Sequence, residues 1–446
     1  MALAPGDVRK DLAADSLFRV LRSHFGSLPD PRSAEVEIPL DDALMSAFAM
    51  FSLKDPSLLA FDHRRRDPND NFRTLYGIHR VPCDSQMRAV LDPVDPAELR
   101  PPFRAVFRRL QCGKALKRFV YLDGHYLVSL DGTTYFSSAT IHRPSCLVRH
   151  HRNGNITYSH QLLGATLVHP DLKEVIPLAP EPIIQQDGQD KNDCERNATR
   201  RWLQSFRQEH PHLPVIVVED ALSSNAPHLR DLRAARAHYI IGVKPGDHAF
   251  LFEHLQTRDE AGQMQVLTVV DPVTEVLHHF RFCAGAPLNE SNPDELVNVL
   301  LYWEIHPDQR AKVKVQHFSW ITDLALDADT VWDIMRGGRA RWKIENETFN
   351  TLKNQGYHLE HNYGHGEQNL SVVLALLMML AFLVDQVQQR CCPLFQAAWG
   401  EMKTKCHLWE EIRHHFRTLR FDSMAELLTA LIRGIVPQKP VFENSS

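Results

Sequence analysis

Three acidic residues in the 446-residue chain stand where carboxylates could do metal-dependent phosphoryl transfer. Asp131 closes the apolar run Tyr126-Leu127-Val128-Ser129-Leu130, which reads as a strand. Asp220 follows Val215-Ile216-Val217-Val218-Glu219, a β-branched run typical of a strand buried on both faces of a parallel sheet. Ligands collect at the carboxyl ends of such strands. Glu345 lies in Arg339-Ala-Arg-Trp-Lys-Ile-Glu-Asn-Glu-Thr-Phe-Asn-Thr-Leu-Lys353, read as a helix that follows Gly337-Gly338. Hard carboxylate oxygens suit Mg2+, which keeps several waters and is shared with substrate phosphates. Two such ions about 3.5–4 Å apart can activate an attacking oxygen and stabilise a leaving one.

Each acid also has a plainer reading. Asp131-Gly132 between strand-like runs is a type I′ hairpin signal, and Asp123-Gly124 repeats the dipeptide upstream. Glu219 rivals Asp220, although alternation along a strand sends the two to opposite faces. Glu345 and Arg341 make an i,i+4 pair worth about 0.2–0.5 kcal/mol as a simple surface ion pair. At about 100° per residue, Arg341 shares the face of Glu345, Lys353 lies roughly 80° away, and Glu347 is turned by about 200°. A carboxylate flanked by cations on one helix can hold a metal while the cations hold neighbouring phosphates.

The elements that must position these groups follow from periodicity. Residues 1–118 read as helical, and Leu99 to Arg118 carries seven Lys/Arg with no acid, either a solvated face or a phosphate-contacting one. Strands follow from Tyr126, and residues 132–170 hold Arg143, Arg149 and Arg152 without any Asp or Glu. A helix is expected from about Asp193 to Gln208. Val215–Val218, a helix from about Pro227 to Ala237, and Tyr239–Val243 form a βαβ unit. Gln265–Val270, Val276–Phe282, Leu296–Ile305 and Val313–Ile321 are strand-like and read as an antiparallel insert. The chain is helical again from Asp329 to about Arg433. The divisions are therefore 1–118, 119–263, 264–322, 323–390 and 391–446.

The strings Leu130-Asp-Gly-Thr-Thr-Tyr-Phe-Ser-Ser138, Val217-Val-Glu-Asp-Ala-Leu-Ser-Ser-Asn225 and Arg341-Trp-Lys-Ile-Glu345 resemble DDE transposases of the IS4 type. Pro82-Cys-Asp-Ser-Gln-Met-Arg88 before Leu91-Asp92 is similar to that family's helical N-terminal region. The resemblance implies an α/β fold: a ribonuclease H-like core with a β-rich insert, an N-terminal DNA-binding region and a helical C-terminal region. It implies that Asp131, Asp220 and Glu345 are catalytic metal ligands for Mg2+, with Mn2+ as a substitute. Arg341 would match the Arg of a Tyr-Arg-Glu-Lys signature, whose Tyr position is Gly338 here and whose Lys position is Leu352, one place before Lys353. The resemblance also implies double-stranded DNA as partner, cleavage and strand transfer at element ends, and a homodimer that pairs two ends. Insert tryptophans of relatives can stack on a flipped base, which makes Trp303 and Trp320 candidates beside a core role. Arg339, Arg149 and Arg152 complete the expected DNA contacts. A non-cutting DNA-binding derivative and a nuclease of the same core without strand transfer are the alternatives.

Other signals narrow the class. The formal charge of −5 discourages a nucleic-acid partner when taken alone. However, residues 253–308 hold ten acids and two bases, and the remainder balances at 48 basic against 45 acidic residues. Eight cysteines without a C-x-x-C pair read as reduced thiols, consistent with a cytoplasmic location, and the DNA partner that the resemblance implies makes that location nucleoid-associated. The N-terminus has no apolar signal core, and Leu370–Val384 reads as a buried core helix rather than a membrane span. No phosphate-binding loop or nucleophile elbow is present. His358, His361 and His365 are interrupted by glycines, so a loop near the site is expected there rather than a metal-binding helix.

Overall fold

The computed structural model describes residues 10–32, 36–143, 145–184, 194–307 and 314–434. Six helices open the chain: α1 (Ala14–Phe25), α2 (Leu40–Ser52), α3 (Leu58–Arg64), α4 (Asn71–Tyr76), α5 (Asp84–Leu91) and α6 (Arg100–Cys112). Strands β1 (Tyr126–Ser138), β2 (Leu147–His150), β3 (Ile156–Val168), β4 (Ile176–Pro177) and β5 (Glu181–Ile183) follow. Next come α7 (Glu195–Glu209), β6 (Val215–Glu219), α8 (Ala226–Ala234), β7 (His238–Gly242) and α9 (Ala249–Glu260). The insert contributes β8 (Gln265–Val270), β9 (Leu277–Asn289), β10 (Asn292–His306) and β11 (Lys314–Thr322). Asp193 and Val313, where two of the expected elements begin, lie outside the described residues, as do 1–9 and 435–446.

All eleven strands join one sheet in the order β2-β3-β1-β6-β7-β11-β10-β9-β8, with β4 and β5 also paired to β3. The expected α/β character is present: β1, β6 and β7 run parallel, and the insert is antiparallel. The insert is not a separate sheet. Trp320, Ile321 and Thr322 of β11 pair with Gly242, Ile241 and Ile240 of β7, so it extends the core sheet directly.

After the sheet come α10 (Val331–Arg339), a π-helical turn (Ile344–Phe349), α11 (Asn350–Asn354), α12 (Leu370–Cys391), α13 (Pro393–Met402), α14 (Lys405–Thr418) and α15 (Met424–Arg433). At 22 residues α12 outruns the 15-residue core helix expected from sequence and is long and apolar enough to cross a membrane, yet 94% of its most apolar window is buried within the fold. It is the axis on which α2, α5, α6 and β4 pack. The Asp92 carboxylate starts it, accepting the backbone N–H groups of Glu367, Gln368, Asn369 and Leu370 at 2.8–3.1 Å. One side chain thereby gathers four successive backbone donors at the helix start, and the negative charge faces the positive end of the helix.

Candidate active site

The register of the central strands brings the first two acids together. Ser129 of β1 pairs with Val218 of β6, and both chains continue two residues, to Asp131 and Asp220. Neighbouring strands lie about 4.8 Å apart, so the two carboxylates leave adjacent positions on one face. Glu219 points to the other face, where it is buried and bonds His228 Nε2 at 2.5 Å and Ser223 Oγ at 3.2 Å. Asp123 sits in the turn before β1, at the opposite end of the strand segment that leads to Asp131.

The hairpin-turn reading of Asp131-Gly132 is corrected, as is the expectation that Asp131 ends a strand. β1 continues unbroken to Ser138 because β3 pairs along its length, with Asp131 opposite Gly164 and Gly132 opposite Leu163. Two glycines make this tolerable. A Cβ on Gly164 would meet Phe349 at 2.7 Å, and one on Gly132 would meet the Glu195 carboxylate at 2.2 Å. Glycine inside a strand marks a close approach of another element, here the segment bearing Glu345 on one side and the start of α7 on the other.

The third acid arrives on a helix built differently from the expected one. Gly337 and Gly338 are inside α10 rather than before a helix, and the close packing there requires glycine, since a Cβ on Gly338 would meet the Trp320 indole at 2.5 Å. Thus the Trp320 ring occupies the space beside the position where the signature expects tyrosine. Trp320 is 5% exposed and belongs to the core, which removes it from the base-stacking candidates. Glu345 is the second residue of a π-helical turn, so uniform α-helical winding does not extend past it. Such π segments are rare and recur at functional sites.

Arg341 ties the site. Its Nη1 lies 2.7 Å from Glu345 Oε1 and 3.3 Å from Asp131 Oδ2, while its carbonyl accepts the Ser129 hydroxyl at 3.1 Å. The guanidinium therefore bridges the first and third acids. Burial pushes the Asp131 carboxyl up to about 7; Arg341 opposes this, while Glu345, Glu195 and Asp220 reinforce it. Asp220 itself caps the short turn after β6, accepting the Leu222 N–H at 3.0 Å.

The remaining expected contacts divide. Arg149 is exposed on the outer strand β2 and Arg152 is exposed in the turn after it. Lys353 is turned to Glu360 at 2.9 Å, and Arg339 is committed to Glu304 and lies over the Phe318 ring. Both are thereby engaged by neighbouring side chains rather than held free for a phosphate. Trp303 stands half-buried between His279 and His317. His365 packs on Phe136 and His160 in a loop, as its glycines suggested.

Two residues at the site carried no sequence signal of their own. Glu195 begins α7, with its carboxylate packed against Gly132 and within the field of Asp131 and Asp220. Its pKa is raised by burial and by the Asp220 and Glu219 charges. Trp342, next to Arg341, is 56% exposed, an unusual setting for so large a ring. Only its place inside the Arg-Trp-Lys-Ile-Glu string hinted at it.

The donor chemistry fits a hard divalent cation: three carboxylates, with a guanidinium already drawn to two of them. Among the described residues, however, no three His, Cys, Asp or Glu side chains stand close enough to hold a metal as they are. Arg341 occupies the intervening position.

Residues 175–383 match the family model for the transposase DDE domain, a span that contains Asp220 and Glu345 and covers just under half of the chain. The comparison with curated proteins found no match. The family match supports a DDE transposase, an enzyme that acts on DNA and belongs to a group that uses divalent metal ions.

Proposed function

We propose that the protein is a DNA transposase of the IS4 type that binds the ends of its mobile element and cuts and rejoins phosphodiester bonds, with Asp131, Asp220 and Glu345 as its metal-binding catalytic acids. The observation that carries this reading is the single guanidinium bridging Asp131 and Glu345 beside the strand tip that bears Asp220. The strand order β3-β1-β6-β7, with β3 antiparallel, supports a ribonuclease H-like core. Divalent Mg2+ or Mn2+, bound there, would supply Lewis-acid activation of the attacking and leaving oxygens. Asp131 and Asp220 would hold that charge from adjacent strands, and Glu345 from the helix above. Arg341, freed from the acids, is placed to hold a phosphate, a task its planar fork suits. Trp342 offers an exposed ring for an unstacked base. The regions 1–118 and 391–446 are read as DNA-binding and accessory helical regions around the core, and a homodimer pairing two ends as the working unit in the cytoplasm.

Glu345→Gln keeps the shape and removes one charge. It is expected to bind element-end DNA like the unaltered chain and to lose nicking in Mg2+; nicking at the unaltered rate would remove Glu345 from the mechanism. Product analysis separates strand transfer from plain nuclease activity, because only the former yields joined molecules.

A further inference from the structure

The sheet opens where β1 leaves β6. Their pairing stops at Ser129 and Val218, while the pairing of β1 with β3 continues to Ser138. Asp131 and Gly132 therefore have a strand neighbour on the β3 side, and their other side is open toward Asp220. Glu195, the first residue of α7, enters that opening. Part of its side chain is exposed to solvent, but its carboxylate end lies against the Gly132 backbone and leaves no room for a Cβ there. Gly132 sits inside a regular strand and has no positive φ, so this contact is what asks for glycine.

An acid at the start of a helix has an ordinary role, since it faces the positive end of the helix. That role is served equally well by a side chain turned to water, and it does not require a strand residue to give up its own. The charges around Glu195 also go beyond it. Arg341 answers Asp131 and Glu345, but among the described residues neither Glu195 nor Asp220 has a salt bridge. Asp220 accepts only the Leu222 N–H, and Glu195 stands in the field of Asp220 and Glu219 with no cation opposing them. Carboxylates gathered without a cation repel one another, and a hard divalent ion is the partner that turns this repulsion into binding.

We propose that Glu195 is a fourth metal-holding acid of the site, acting with Asp131 and Asp220, and that Gly132 is glycine to admit it. This rests on the reading of Asp131, Asp220 and Glu345 as metal ligands and adds a residue outside that set. The probe is Mn2+ alone, titrated into the full chain without DNA and followed by the paramagnetic resonance of the free ion, beside plasmid nicking in Mg2+. Glu195→Gln removes the charge and keeps the shape. Gly132→Ala keeps all four acids but pushes the Glu195 carboxylate away, and a flexible side chain can yield to it without unfolding the strand. Circular dichroism and melting temperature check the folding of both. Each variant is expected to weaken Mn2+ binding about tenfold, with nicking falling alongside. The double variant should bind no more weakly than Glu195→Gln, because the alanine acts only by moving Glu195. Mn2+ affinity within about twofold of the unaltered chain in folded Glu195→Gln would overturn the assignment, and a lowered melting temperature beside it would leave only the helix-start role. Mn2+ binding that is lost in Glu345→Gln but kept in Glu195→Gln would leave the other acids' role standing and remove Glu195 alone. Unaltered chain that neither binds Mn2+ nor nicks plasmid would overturn both.

Discussion

At the scale of single residues, the site is a balance of like charges held together by one cation. Asp131 is partly buried among Glu345, Glu195 and Asp220, and Arg341 offsets only part of that field. Its carboxyl, raised from 3.8 to about 7, keeps a proton in the folded chain that the unfolded chain has already released. The folded state therefore binds more protons across that window, and stability falls as pH climbs through it. Asp131→Asn should flatten this dependence and raise stability at neutral pH by about 0.5–2 kcal/mol while abolishing cleavage, read by thermal melts at pH 5 and pH 8. Arg341→Ala should have the opposite effect on stability, lowering the melting temperature without divalent ions by leaving the acids unmatched. Mg2+ should recover more of that temperature for the variant than it adds to the unaltered chain, read by melts with and without the ion. Asp131, Asp220 and Glu345 were legible in the sequence because each follows or lies in a strongly patterned run. Glu195 was not, since its importance comes from a contact with Gly132 across many residues of chain, and no local pattern records that.

At the scale of elements, close approach sets the geometry. The Glu345-bearing segment can lie on β1 and β3 only because Gly164 opens the sheet surface for Phe349 and Ile344. Gly164→Val should force the ring away, costing about 1–3 kcal/mol of overpacking and most of the nicking rate. Adding Phe349→Leu should restore stability ahead of activity, which melting and cleavage assays on both variants would show. The βαβ unit and the four insert strands were readable from period and turn residues. Three features were not readable. The uninterrupted β1 depends on its long partner β3, the π-helical turn on packing against the sheet, and Gly337-Gly338 on the Trp320 ring that fills the space beside Gly338. In each case tertiary contact overrides a local preference, as the Asp-Gly turn signal and the glycine pair illustrate.

At the scale of the whole molecule, the five divisions drawn from the sequence share one continuous core among the described residues, and three of them, 1–118, 323–390 and 391–446, also meet at a buried charge pair. Lys54, just after α2, reaches Asp385 of α12 at 2.6 Å, with both side chains 1% exposed. The Lys54 amine also lies 4.0 Å from the ring centres of Tyr357 and Trp409, and the Tyr357 hydroxyl bonds Asp385. The N-terminal helices, the loop after the Glu345 segment, the core helix and α14 therefore meet at a single point. Burial drives the Lys54 pKa down and the Asp385 pKa up, so each ion depends on the other to stay charged. Removing one partner leaves an unmatched buried charge, and Asp385→Leu is expected to cost about 3–5 kcal/mol. Lys54→Met combined with Asp385→Leu should recover most of that loss, because the pair's own desolvation cost disappears with it. Denaturant titration of the two variants checks the energies. Following far-ultraviolet ellipticity and tryptophan fluorescence together checks the coupling: the unaltered chain should show coincident transitions, and Asp385→Leu should let the N-terminal and C-terminal helices melt before the sheet. Transitions that are already separate in the unaltered chain would mean that this charged junction does not bind the regions into one cooperative unit.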